Sequence, residues 1–109
     1  MPVKSIKSFA AKTTKSSVHD VVWEKVKLKI VNPLGLHTRA ACSFVKTAQQ
    51  FPGQIRVQKN KTYANGKSIL SLLTLAAKQG DIITVRTKGK KAKEALQNIR
   101  ALIEAGFHE

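Results

Sequence analysis

The spacing of apolar residues changes period repeatedly between residues 24 and 105, and this constrains the fold more than composition does. Val26, Leu28 and Ile30 alternate with Lys25, Lys27 and Lys29, as in a strand with one buried face over Glu24–Val31. Asn32-Pro33-Leu34-Gly35 then reads as a turn, because Pro fixes φ and Gly permits positive φ. Beyond it Ala40, Ala41, Phe44, Val45 and Ala48 form one helical stripe that must stop before Pro52-Gly53. Ile55 and Val57 alternate with Gln54, Arg56 and Gln58 in a second strand, and Tyr63 falls in a short third one after a turn at Asn60-Lys61. Asn65-Gly66 is a hairpin signal. However, Ile69, Leu70, Leu72, Leu73 and Leu75 follow at near-helical spacing, so the pair is read as the entry to a short helix over 68–75. Ile82, Ile83 and Val85 predict a fourth strand over Asp81–Thr87. Ala92, Ala95, Leu96, Ile99, Leu102 and Ile103 predict a last helix, with Gly106 as its C-cap. The order βαββαβα implies an α+β fold in which helices cover one face of a mostly antiparallel sheet.

At 109 residues the chain suits one domain. The stretch Lys12–Ser17 is polar and has neither period, so residues 1–22 are read as a basic tail without fixed structure, followed by a domain over 23–109. The chain has no apolar run of about 18 residues that would span a membrane. No secretory h-region follows Lys4 and Lys7. The single Cys42 cannot form an internal disulfide, which fits a cytoplasmic protein, and on the first helix it reads as a core or boundary residue. No Cys/His cluster has metal-ligand spacing, so neither a metal nor a cofactor is expected. Asp81 is the only Asp of the domain, which leaves a Ser–His–Asp triad little to draw on.

Twenty Lys and Arg against six Asp and Glu give a net charge of +14, which attracts acidic partners or nucleic acid. The charges are spread from Lys4 to Arg100, with the densest run at Lys88–Lys93, and they mostly suit solvated faces. Aromatic residues are few, four Phe, one Trp and one Tyr, and no nucleic-acid motif is present. A basic nucleic-acid-binding domain is therefore only a remote alternative.

Of the three histidines, His19 lies in the polar tail and His108 is penultimate. His37 stands at the start of the first helix, where unpaired N–H groups and the positive dipole end disfavour imidazolium and keep the ring nucleophilic. The same groups would stabilise a phosphoryl dianion on the ring. Arg39 could add a bidentate contact to it.

The run Gly35-Leu36-His37-Thr38-Arg39-Ala40-Ala41, with Phe44-Val45-Lys46 after it, resembles the active-site signature of HPr, the histidine-containing phosphocarrier family of the bacterial sugar phosphotransferase system. A second run, Lys67–Leu75, resembles that family's regulatory-serine segment at the matching separation, and the similarity covers about residues 24–105. The resemblance implies an open-faced sandwich with a four-stranded sheet and three helices. It also implies a cytoplasmic, stoichiometric carrier rather than an enzyme, expected to be a monomer. In that relay, enzyme I, charged by phosphoenolpyruvate, would phosphorylate His37 on Nδ1, and His37 would pass the group to an enzyme IIA domain. Arg39 would stabilise the phosphoryl group, and Thr38 would contribute its backbone at the helix start. Ser68 would be the acceptor of an ATP-dependent HPr kinase/phosphorylase. Lys46, Lys67, Leu70 and Leu73 match the docking face. The chain departs from the family at Ala40, where proline is usual, and at Ala76, where glycine is common. The nearest alternative is a regulatory, nitrogen-type relay paralogue sharing His37 and Arg39.

Overall fold

The computed structural model describes residues 22–109. The expected tail lies outside the described residues, apart from Val22. Strand β1 (Glu24–Lys29) is followed by helix α1 (Thr38–Ala48), strands β2 (Gln54–Lys59) and β3 (Thr62–Asn65), and the short helix α2 (Ile69–Leu73). Strand β4 (Ile82–Lys88) and helix α3 (Ala92–Glu104) complete the predicted order, and a single 3-10 turn over Gly106–His108 follows.

The four strands form one sheet in the order β1-β4-β2-β3, and all three pairings are antiparallel. The register opposes Val26 to Val85 and Val85 to Val57, which puts the inward apolar sets of three strands in one layer. Against it pack Phe44 of α1, Leu72 of α2, and Ile99 and Ile103 of α3, all essentially inaccessible to solvent. Side chains of this kind each stabilise the fold by roughly 1.5–3 kcal/mol when buried. One buried polar side chain, Thr87, donates its hydroxyl to the Ala92 carbonyl at 2.7 Å and ties the end of β4 to the start of α3.

Element ends differ from expectation by one or two residues, each for a local reason. β1 stops at Lys29, because Ile30 bonds instead with the Asp81 carbonyl and the Gly80 N–H before β4. Asp81 itself stays outside β4, its carboxylate accepting from the Lys78 N–H at 2.9 Å and pairing with Lys59 at 3.2 Å. Asn65-Gly66 does lead into a helix: Asn65 Oδ1 accepts from the Lys67 N–H at 2.9 Å and turns the chain toward Ser68. That helix ends at Leu73 rather than Leu75, and Ala76 just beyond it sits at φ +49, the left-handed region that glycine tolerates better.

Candidate functional site

The turn between β1 and α1 is pinned from both sides. Gly35 has φ +66, and a Cβ there would stand 2.6 Å from the Ala77 carbonyl oxygen, so the position needs glycine on both counts. Asn32 Nδ2 donates to the Gly35 carbonyl at 2.7 Å, and the Leu36 N–H bonds to the Ala77 carbonyl at 2.9 Å. The next residue is His37.

His37 is the N-cap of α1, in extended backbone (φ −85, ψ −179), and its carbonyl accepts from the Ala41 N–H at 2.8 Å. Its side chain makes no capping hydrogen bond. The first turn of α1 contains no acidic residue, so its N–H groups and positive dipole end are not neutralised by the helix itself. Thr38 and Arg39 are exposed, and Arg39 forms no ion pair among the described residues. Ala40 is buried against the core, which is the role the departure from proline leaves it.

A partner for His37 comes from a part of the chain that sequence reading left unassigned. After α3, Gly106, Phe107 and His108 all take positive φ, +65, +57 and +60, and turn the chain back on itself. Left-handed backbone costs a non-glycine residue about 1–2 kcal/mol. Phe107, only 5% exposed, offsets this by anchoring the turn in the core. The turn delivers the Glu109 carboxylate to Nε2 of His37. That hydrogen bond holds the Glu109 carboxyl below its ordinary value of 4.5, and the charge of Arg39 contributes a smaller part. A ring that donates from Nε2 carries its lone pair on Nδ1, which has no hydrogen-bond partner among the described residues. The one available signal for this contact was Phe107, an apolar residue placed after the helix-ending Gly106.

The second predicted segment lies beside the first, because α2 packs on α1. Ser68 is the N-cap of α2, and its Oγ accepts from the Ser71 N–H at 3.2 Å. Ser71 Oγ is already engaged by the Asn65 N–H at 2.8 Å. The expected docking residues separate into two kinds. Lys46 is exposed and Leu70 is 78% exposed, whereas Leu73 is half-buried against the core and Lys67 Nζ donates to the Phe51 carbonyl at 2.5 Å. His108 is exposed, and His19 lies outside the described residues. No group of three or more His, Cys, Asp or Glu among the described residues could hold a metal ion.

The family model described as "PTS HPr component phosphorylation site" matches residues 24–105. The chain belongs to the HPr family. It is 42% identical over 85 residues to the phosphocarrier protein HPr of Neisseria meningitidis serogroup A, covering 78% of this chain and 96% of that protein. It is 40% identical over 85 residues to HPr of Pseudomonas aeruginosa, covering 77% and 94%. The crystal structure of HPr-C-His from Thermoanaerobacter tengcongensis superposes with a TM-score of 0.76 at 37% identity, covering 79% of this chain and 97% of that one. The α+β layer predicted from the pattern is the open sandwich that the resemblance implied, the HPr fold, and the chain is a phosphocarrier of the phosphotransferase system. Glu109 and the 3-10 turn that delivers it lie beyond the residues the family model matches.

Proposed function

We propose that this chain carries a phosphoryl group on Nδ1 of His37, taking it from enzyme I and passing it to an enzyme IIA domain in the cytoplasm. The observation that carries the reading is the state of His37: an N-cap whose ring is not used for capping and whose Nε2 is held by Glu109. The Nδ1 lone pair forms a bond to phosphorus as the bond between phosphorus and the donor breaks, so the carrier gains one phosphoryl group and no bond of its own is lost. In-line transfer of this kind asks for positioning and charge stabilisation rather than acid–base chemistry. The free N–H groups at the start of α1 and the guanidinium of Arg39 supply that stabilisation. Transfer to the acceptor reverses the step, so the protein acts stoichiometrically.

Leu70 on α2 and Lys46 on α1 present an exposed apolar side chain and a positive charge on two helices that pack together, which suits an acidic partner that docks and leaves quickly. Phosphorylation of Ser68 by a kinase would put about two negative charges on α2 next to that side chain. Its effect is repulsion of the same acidic partner, and Ser68 serves both as cap and as brake.

The deciding experiment incubates the protein with phosphoenolpyruvate and enzyme I. One acid-labile phosphoryl group per chain is expected, with complete loss in His37→Ala. Label that persists at His19 or His108 in that variant would overturn the assignment. Transfer of the label to a sugar-specific enzyme IIA, rather than to a regulatory one only, separates the sugar carrier from a nitrogen-type paralogue.

A further inference from the structure

The uncovered face of the sheet carries a concentrated positive charge that the phosphocarrier reading does not use. Alternation sends Lys25, Lys27 and Lys29 of β1, Arg56 of β2, and Arg86 and Lys88 of β4 to this side. The register sets Lys25 opposite Arg86 and Arg86 opposite Arg56, so three cations stand in one row across three adjacent strands. Adjacent strands lie about 4.8 Å apart. Like charges directly opposite one another destabilise a sheet. No carboxylate among the described residues relieves the row. Glu24 is on the inward parity of β1, Asp81 pairs with Lys59, Glu94 and Glu104 are on α3, and Glu109 is at His37.

Three further features distinguish this surface from a plain row of solvated lysines. Arg86 donates from Nη2 to Gln58 Oε1 at 3.2 Å, while its buried Nε has no partner. The Arg56 guanidinium lies 5.0 Å from the centre of the Trp23 ring and 5.9 Å from that of Tyr63, and Lys88 Nζ lies 5.4 Å from Trp23. Two shallow clefts flank the row, one lined by Trp23, Arg56 and Tyr63, the other by Lys25, Lys27 and Arg86.

We propose that this open face binds single-stranded nucleic acid, with phosphates along the Lys25–Arg86–Arg56 row and a base stacked at Tyr63. Single strands are held by a cationic track combined with aromatic stacking, and this face has the track and, in Tyr63, an exposed ring. Tyr63 is 52% exposed and leaves ring surface for a base. A protein partner would need an apolar anchor near the centre of the surface. Here the centre is Arg, Lys, Gln and Thr, and Tyr63 and Ile82 stand toward its margins. Stacked duplex bases would leave the exposed Tyr63 ring without a use, whereas the unstacked bases of a single strand can lie on it. The charges are scattered in sequence, and the fold collects them.

The test measures fluorescence anisotropy of a labelled oligothymidylate with the full chain over a series of KCl concentrations. The variant Lys25→Gln/Arg56→Gln/Arg86→Gln should bind at least tenfold more weakly. Its slope of log affinity against log salt should fall by about 2, since each lost phosphate contact removes about 0.7. Its melting temperature should equal or exceed the parent's, because the like-charge row is relieved; should the triple variant fail to fold, the single substitutions carry the same comparison. Tyr63→Ala should cost about fivefold in affinity without changing the slope. His37→Ala should bind like the parent, which keeps this result independent of phosphoryl transfer. Parental affinity in the triple variant would overturn the proposal. So would poly-glutamate or anionic phosphatidylserine vesicles competing as well as oligonucleotide at equal charge, which would indicate an acidic protein or a membrane surface instead.

Discussion

One side of the sheet is covered by three helices and holds Phe44, Leu72, Ile99 and Ile103 out of water; the other is bare and holds Lys25, Arg56, Arg86 and Lys88 in it. The covered side is also the side on which the chain presents His37, at the N-terminus of one of the covering helices. Stability and the proposed phosphoryl chemistry are therefore built from the same elements, whereas the bare side contributes backbone pairing and charge. The difference teaches which substitutions can separate fold from function. A change on the helical side moves packing, the site, or both. A change on the bare side leaves the core untouched and acts through electrostatics.

The comparison is sharpest at the core. Phe44→Ala should lower unfolding stability by about 3–5 kcal/mol in a urea titration, while Arg86→Gln on the bare face should stay within about 0.5 kcal/mol of the parent. Equal losses in the two variants would break the distinction between the faces. Within the helical side, Arg39→Gly should slow phosphorylation of His37 by enzyme I at least tenfold yet leave the urea midpoint nearly unchanged, because an exposed charge adds little to stability. Arg39→Lys should recover only part of the rate, since lysine lacks the planar fork. Ser68→Asp should likewise fold normally and accept the phosphoryl group several-fold more slowly. A parental rate there would reduce Ser68 to a helix cap.

Smaller effects test two of the strained places on the helical side. Ala76→Gly should raise stability by about 1 kcal/mol, because φ +49 suits glycine. The Glu109 contact should respond to pH in one direction. Its folded pKa lies below the ordinary 4.5, so the stabilisation is fully present above that value and is lost as pH falls through the depressed value. Glu109→Gln should remove this dependence and lower the stability near neutral pH by the same small amount that the parent loses on acidification. Chemical shifts of the His37 ring, followed from pH 6 to pH 3, read the contact directly. A ring environment that is identical in parent and Glu109→Gln would show that the carboxylate does not hold Nε2 in solution.

The repeated change of apolar period determined the element order, because burial of one face leaves period 2 in a strand and 3.6 in a helix. It therefore also determined which side chains enter the core. Local chemistry placed His37 at a helix start, since Pro33 and Gly35 can only make a turn there, and the two motif runs were legible as far as Ser68. Other features are pairings between residues distant in the chain, and periodicity carries no information about those. Glu109 meets His37 across 72 positions, through a turn stabilised by burying Phe107. Lys67 Nζ is tied to the Phe51 carbonyl across 16 positions. The row of Lys25, Arg86 and Arg56 exists only because β4 is paired between β1 and β2. Sequence sets which face of each strand is wet, but strand order and register, fixed by how the whole core closes, decide which charges then stand side by side.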